Sequence, residues 1–264
     1  MILAQTLPLT VLLIILESTV GGMLALLVTD FEGRVSNGFL VTSGAILGVG
    51  AGIAFLLRFG YGDAASSLNP FLLALTVLLF AYALVIAFGW RLLGRLIGVG
   101  SLVAGAVVLI RSVALEPHFA GSLDLISLAL ATLVLGTALT ALLLGHWYLV
   151  TPLLSARSLR RITEILLVGL GLQLLLDVTL FLPGGDPAVV AQRMGLVLST
   201  YGFVFWFRVI VGLAAPIVLG ILTWRSCGDR AMQTATGLLY IVFGCVLAGE
   251  AAAWVLHFLA SVSL

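Results

Sequence analysis

Apolar segments long enough to cross a lipid bilayer follow one another along almost the whole chain. Hydrophobic residues make up 62% of the sequence and charged residues only 9%, whereas a soluble domain carries roughly 25% charged residues. A transmembrane helix needs about 20 predominantly apolar residues. Runs of that length predict spans at 7–29, 38–59, 70–90, 96–115, 123–150, 164–183, 198–223 and 234–260. We therefore expect an all-α polytopic membrane protein, a bundle of eight transmembrane helices forming one domain over 1–264.

The arginines alone set the predicted orientation, because the chain contains no lysine. Basic connections remain on the cytoplasmic side of a membrane. Most arginines fall in the odd-numbered connections: Arg34, Arg91, Arg95, Arg157, Arg160, Arg161, Arg225 and Arg230. Only Arg58, Arg111 and Arg193 lie on or near the other side. We expect a multi-pass protein of the bacterial cytoplasmic (inner) membrane with both termini facing outward.

Several classes of chemistry are disfavoured by composition. Cys227 and Cys245 form no CxxC motif and no metal-type spacing with histidine, so we expect this chain to hold no metal, iron–sulfur cluster or c-type haem. The absence of lysine excludes a retinal Schiff base. The glycine-rich stretch at 48–52 lies inside an apolar span, where small residues favour helix packing rather than nucleotide binding. A net charge of +1 gives no indication of a nucleic-acid partner.

The three histidines do not predict a b-type haem. Such a haem needs two axial ligands at similar depth, whereas His146 and His257 fall at opposite ends of their predicted spans, and His118 lies in a loop. The stretch GHWYLVTP at 145–152 is typical of an interfacial helix end closed by proline. A contact between His146 and a partner or a quinone is the alternative.

Ionisable residues inside the apolar spans are the strongest functional signal. Glu17, Asp177, Arg208 and Glu250 are each costly in hydrocarbon, and such residues usually mark functional sites. At 1.5 Å rise per residue, Glu17, Arg208 and Glu250 come out at roughly the same depth, near the bilayer midplane. We predict that Arg208 and Glu250 meet in the bundle interior, with Glu17 within reach.

Helical spacing extends this set toward the outer surface. Glu250, Trp254 and His257 fall on one stripe of the last span, at i, i+4 and i+7. Tyr201 and Arg208 fall on one stripe of the seventh span.

The functional interpretation of these stripes is an outward-opening polar pocket that binds a quinone headgroup and exchanges its protons, since carboxylates in a low-dielectric site take up protons more readily than in water. The alternative is that Arg208 only neutralises a carboxylate and sets helix register. A second tier of candidate residues is Arg58, Arg111 and His146.

Three stretches resemble the membrane anchors of complex iron–sulfur molybdoenzymes, in particular the DMSO-reductase-type anchor within the polysulfide-reductase-like (NrfD-type) group. They are STVGGMLALL at 18–27, YGFVFWFRVIVGL at 201–213 and LLYIVFGCVLAGEAAAWVLHFL at 238–259. The order and spacing of all eight spans are similar as well. The outer loop after the second span, LLRFGYGDAASSLN, departs from the family because it lacks the histidine found there near the quinol site.

The resemblance implies a non-catalytic subunit of a respiratory oxidoreductase complex. Such an anchor takes part in electron transport: it binds quinol or quinone and couples it to an extracytoplasmic iron–sulfur or cytochrome subunit. Two other functions remain open on the residues alone. One is a structural subunit of a larger membrane complex that binds only membrane lipids. The other is a small proton or solute transporter that uses the same carboxylates.

Overall fold

Eight long helices account for nearly all of the described chain. A computed structural model describes residues 2–59, 67–114, 122–151, 155–179, 195 and 202–260. The helices are α1 (Ile2–Phe31), α2 (Asn37–Leu57), α3 (Asn69–Ala87), α4 (Arg91–Val113), α5 (Ser122–Val150), α6 (Arg157–Thr179), α7 (Gly202–Gly228) and α8 (Met232–Ala260). Each contains a segment long and apolar enough to cross a membrane. The predicted all-α polytopic membrane fold is confirmed.

The helix bounds correct the prediction at several arginine-bearing ends. The spans predicted to begin at 96 and 164 begin at Arg91 and Arg157, and the seventh runs to Gly228 instead of ending at 223. Arginines assigned to connections therefore lie in terminal helical turns. The physical reason is that an arginine stem can lie along apolar surface while its guanidinium group reaches water, so a helix continues beyond its apolar stretch.

The chain divides into two rings of four helices. In the N-terminal bundle, each of α1 to α4 packs on the next and α4 returns to α1. In the C-terminal bundle, α5 to α8 repeat this arrangement and α8 returns to α5. We call the end of the molecule at which α1 begins and α8 ends the terminal face, and the end that holds Phe31, Arg91 and Arg157 the opposite face.

The two bundles meet where α1 and α5 cross at backbone contact. A Cβ atom on Gly21 would lie 1.8 Å from the carbonyl oxygen of Thr132, and one on Gly136 would lie 2.3 Å from the Cα of Gly21. Thr140 Oγ1 donates a hydrogen bond to the Gly22 carbonyl oxygen at 3.2 Å. Only glycine permits this approach. It holds α1 against the C-terminal bundle, where α1 also contacts α8.

Candidate functional site

A fully buried ion pair lies inside the C-terminal bundle. Arg208 Nη1 on α7 donates to Glu250 Oε1 on α8 at 3.1 Å. Gln173 Nε2 on α6 donates to the same oxygen at 2.8 Å. The relative exposures of Arg208, Glu250 and Gln173 are 0%, 2% and 0%. The predicted meeting of Arg208 and Glu250 is confirmed.

A local change in helix type begins at Arg208. Residues Arg208–Ala214 form a π-helical segment inside α7, and such segments often occur at functional sites. Within it, Gly212 faces Gly249 of α8 so closely that a Cβ atom on Gly249 would lie 2.3 Å from the Gly212 Cα. The same Cβ atom would lie 3.3 Å from Arg208 Nη1. The glycine contact therefore brings α7 and α8 close enough for the guanidinium group to reach Glu250.

Glu17 reaches the ion pair from the N-terminal bundle. Its side chain is fully buried on α1, and Trp254 Nε1 donates to Glu17 Oε1 at 3.1 Å. Glu17 also interacts electrostatically with both Glu250 and Arg208. The prediction that Glu17 lies within reach of the pair is confirmed. Since Trp254 is one turn from Glu250 on α8, the two carboxylates converge on one helix face.

Asp177 is the third carboxylate in this region. It lies one turn beyond Gln173 on α6, is 3% exposed, and interacts electrostatically with Arg208 and Glu250. Neither of its carboxylate oxygens has a hydrogen-bond partner in the described structure. Asp177 is therefore a buried acceptor that no donor among the described residues satisfies.

We call this group the buried polar cluster: Glu17, Gln173, Asp177, Arg208, Glu250 and Trp254. It contains three carboxylates and one guanidinium group. Several of its buried polar atoms have no hydrogen-bond partner among the described residues: Glu17 Oε2, Gln173 Oε1, both Asp177 oxygens, and Arg208 Nε and Nη2. Buried polar groups are normally satisfied. The cluster therefore has unused donors and unused acceptors side by side.

The cluster lies between the middle of the bundle and the terminal face. At 1.5 Å rise per residue, Glu17 lies about 21 Å from the end of α1 at Phe31, and Arg208 about 30 Å from the end of α7 at Gly228. Both distances are measured from helix ends at the opposite face. Glu17 thus lies at the middle of α1, whereas Arg208 lies in the half of α7 nearer the terminal face. Which side of a membrane this face lies on stays a prediction.

Aromatic side chains continue from the cluster toward the terminal face. The ring of His257 contacts that of Trp254 edge-on, with centroids 5.5 Å apart, and Phe258 stacks on Trp254 at 5.7 Å. His257 is 6% exposed, so the predicted stripe of Glu250, Trp254 and His257 faces the interior. Tyr201, the remaining predicted site residue, lies outside the described residues.

The second-tier residues lie apart from the cluster. Arg58 stacks on Phe59, with its Cζ atom 4.0 Å from the ring centroid, and Arg111 lies over Phe71 at 4.8 Å. Neither forms a hydrogen bond or ion pair with a cluster residue in the described structure. His146 is exposed on α5 and lies 3.4 Å from the hydroxyl group of Tyr240.

The prediction that His146 and His257 lie at opposite ends of their helices is confirmed. Tyr240, the partner of His146, precedes His257 by about 25 Å along α8 at 1.5 Å per residue. The two histidines therefore lie at opposite ends of the bundle. Among the described residues, no group of three or more histidine, cysteine, aspartate or glutamate side chains could hold a metal ion.

Two parts of the structure were missed by the site prediction. Gln173 contacts Glu250 directly, and its only sequence signal is an amide one turn before Asp177 inside an apolar span.

The second missed feature is Asp30. It was assigned to a connecting turn, but it is fully buried at the end of α1. Arg95 Nε donates to Asp30 Oδ2 at 2.8 Å, and Arg91 Nη1 lies 3.7 Å from Asp30 Oδ1. The sequence signal for this contact was an acidic residue at the end of the first span and two arginines at the start of the fourth.

Comparisons with protein-family models, with curated proteins and with solved structures each find no match to this chain. The geometry of the buried polar cluster and the sequence resemblance described above are the observations that bear on function.

Proposed function

We propose that this chain is the membrane anchor subunit of a respiratory-type redox complex and that it binds quinol or quinone at the buried polar cluster. The observation that carries the proposal is the pairing of unused donors with unused acceptors inside an apolar bundle. Within the part of the chain that the structure describes, Arg208 Nε and Nη2 lack acceptors, and Glu17 Oε2 and the Asp177 oxygens lack donors. Leaving such groups unsatisfied in a low-dielectric interior is costly, so a polar ligand that satisfies them is favoured.

A quinone fits this set of atoms in both of its redox states. Its carbonyl oxygens accept hydrogen bonds, which suits the free guanidinium donors, and the hydroxyl groups of the quinol donate hydrogen bonds, which suits the free carboxylate oxygens. When bound, this group supplies the two-electron, two-proton chemistry. Its flat ring also suits the aromatic side chains Trp254 and Phe258 beside the cluster. The donors and acceptors present therefore match the hydrogen-bonding groups of the ligand.

The residues of the buried polar cluster have different roles, which follow from their chemical types. Arg208 donates hydrogen bonds and offsets part of the carboxylate charge. Glu17 and Asp177 have free oxygens and can each hold a proton. Gln173 and Trp254 hold Glu250 and Glu17 in place through one hydrogen bond each. This arrangement binds and orients a headgroup and transfers protons without a catalytic residue for electron transfer.

The redox partner in this proposal is an iron–sulfur or cytochrome subunit at the terminal face. Its chemical identity follows from the resemblance to molybdoenzyme anchors. Its position is inferred from Arg208 and Glu250, which lie in the halves of α7 and α8 nearer the terminal face. With the predicted orientation, that face is extracytoplasmic in a bacterial inner membrane.

Equilibrium binding of a short-chain benzoquinone and a short-chain naphthoquinone to the purified chain in nanodiscs tests the proposal. Asp177→Asn is the sharpest variant, because Asp177 makes no hydrogen bond to a described residue that the substitution would break. We expect Asp177→Asn and Glu17→Gln each to weaken binding about tenfold, the equivalent of about 1.4 kcal/mol.

Asp30→Asn is the control, since Asp30 is also a fully buried carboxylate but pairs with Arg95 at the opposite face. It should leave quinone affinity within about twofold. Wild-type affinity in both Asp177→Asn and Glu17→Gln would rule out the quinone site and favour a purely structural role.

A small proton or solute transporter is the second candidate, and it is favoured by the excess of carboxylates. Three carboxylates face one guanidinium group, so the interior can exchange protons without any bound cofactor. Proton uptake by proteoliposomes that contain only this chain separates the two functions. Uptake that Asp177→Asn abolishes, together with no quinone binding, would favour the transporter.

A further inference from the structure

A second charged site lies at the opposite face, far from the buried polar cluster. A cleft of about 420 Å³ opens between the turn after α1 and the start of α6. We call it the arginine cleft. Its lining consists entirely of charged side chains: Glu32, Arg34, Arg157, Arg160, Arg161 and Glu164. Four guanidinium groups and two carboxylates leave it with a net charge of +2.

The positive charge in this cleft is only partly neutralised from within. Glu164 is engaged by Arg160 at 3.6 Å and Arg161 at 3.8 Å, and Trp224 Nε1 donates to it at 2.9 Å. Arg34 and Arg157 have no ion-pair partner among the described residues. Two arginines from segments more than a hundred residues apart are thus free to bind an anion together.

The position of the cleft specifies the source of that anion. Arg157 is the first residue of α6, and Arg34 lies three residues beyond the end of α1, so the cleft lies at the ends of membrane-spanning helices. Below it, the guanidinium group of Arg160 stacks on the indole of Trp224 at 4.1 Å. Tryptophan concentrates at the level of lipid headgroups, and basic pockets between helices at this level suit anionic headgroups.

We infer that the arginine cleft binds the headgroup of an anionic phospholipid. Arginine pairs with phosphate oxygens through parallel hydrogen bonds, and the cleft offers two unpaired guanidinium groups for one phosphodiester. A lipid keeps its acyl chains in the bilayer while its phosphate reaches the cleft, an anchorage that a soluble phosphate lacks. This inference is independent of the quinone proposal, because no residue is shared between the two sites.

An arginine outside the cleft, Arg225, provides a contrast at the same face of the molecule. Arg225 is exposed in the last turn of α7 and lines no part of the cleft. Arg157 is equally an exposed arginine in a terminal turn. Replacing Arg157 or Arg225 by glutamine removes one charge from the same face of the molecule. Only the replacement of Arg157 alters the cleft.

Lipid retention by the purified full-length chain tests the inference. The chain is exchanged into micelles that contain phosphatidylcholine and phosphatidylglycerol, and bound lipid is quantified by native mass spectrometry. We expect selective retention of phosphatidylglycerol by the wild type, at least about a tenfold loss in Arg157→Gln and in Arg34→Gln, and less than a twofold change in Arg225→Gln. Arg34 makes no ion pair with a described residue, so its substitution leaves folding intact.

Three results would overturn the inference. Equal losses of bound phosphatidylglycerol in Arg157→Gln and Arg225→Gln would show that retention depends only on net charge. Retention of phosphatidylcholine as strong as that of phosphatidylglycerol would remove the selectivity for an anion. Displacement of the lipid by millimolar inorganic phosphate would identify a soluble anion as the ligand instead of a lipid.

Discussion

The two bundles each bury a carboxylate against arginine, but in different surroundings. In the N-terminal bundle, Asp30 is fully buried while its partners Arg91 and Arg95 keep 30% and 27% of their side chains exposed. In the C-terminal bundle, the side chains of Arg208 and Glu250 are only 1% and 3% exposed. The first pair joins helix ends at the opposite face, and the second lies inside the apolar interior.

This difference is the basis on which we propose a functional role for the interior pair and a structural role for the Asp30 pair. At the opposite face the guanidinium groups remain in contact with water. Asp30 Oδ1 has no hydrogen-bond partner among the described residues, but it lies 3.7 Å from Arg91 Nη1. In the interior, desolvation of both charges is expensive, and the pair leaves two guanidinium nitrogens, Arg208 Nε and Nη2, without acceptors in the described structure. A site that retains unsatisfied groups at such cost is more consistent with ligand binding than with helix attachment.

The largest expected effect separates the two pairs by stability. Arg208→Met leaves Glu250 buried without a cation, and we expect the free energy of unfolding to fall by about 3–5 kcal/mol. Arg95→Met should lower it by only about 1–2 kcal/mol, because Arg91 still faces Asp30. Unfolding in mixed micelles, followed by circular dichroism, measures both.

A double variant shows whether the interior pair is needed for folding. Arg208→Met combined with Glu250→Met removes both charges, and apolar replacement of a complete buried pair is often neutral or stabilising. We expect the double variant to recover most of the stability and to lose quinone binding. Equal losses in Arg208→Met and Arg95→Met would break the comparison between the two bundles.

The glycine contact beside the interior pair has an intermediate expected effect. Gly249→Ala places a Cβ atom 2.3 Å from the Gly212 Cα, so α7 and α8 must separate. We expect a loss of about 1–3 kcal/mol and weaker quinone binding, because Arg208 moves away from Glu250. Gly244→Ala on the same helix meets open space and should change neither quantity. Equal behaviour of the two variants would show that the glycine contact does not position Arg208.

The smallest expected effect concerns the link between the bundles. Trp254→Phe retains an aromatic ring but removes the donor to Glu17, so we expect a stability loss of about 0.5–1.5 kcal/mol. Quinone affinity should fall by a larger factor than that loss alone implies, since Glu17 is no longer oriented. Trp206→Phe, at a half-exposed tryptophan on α7, is the control. An unchanged affinity in Trp254→Phe would remove the orienting role of Trp254.

Depth and helical periodicity predicted the main contacts of the cluster well. Arg208 and Glu250 were expected at one level because the rise per residue is constant and an unpaired charge in a membrane is costly. Gln173 was not selected, because an uncharged amide inside an apolar span has no such cost to mark it. Asp30 was assigned to a turn because apolar length alone does not show where a helix ends.

What the sequence by itself determined is the set of spans and the charges placed inside them. Apolar runs of fixed length specify crossing helices, since backbone groups in lipid must be satisfied within the helix. Only the tertiary structure decided which helices share an interior. The backbone contact of Gly21 with Gly136 brings Glu17 from one bundle to Trp254 in the other, and Gly212 against Gly249 brings Arg208 to Glu250. Such contacts depend on how close two helix surfaces come in space, and local sequence pattern does not encode that distance.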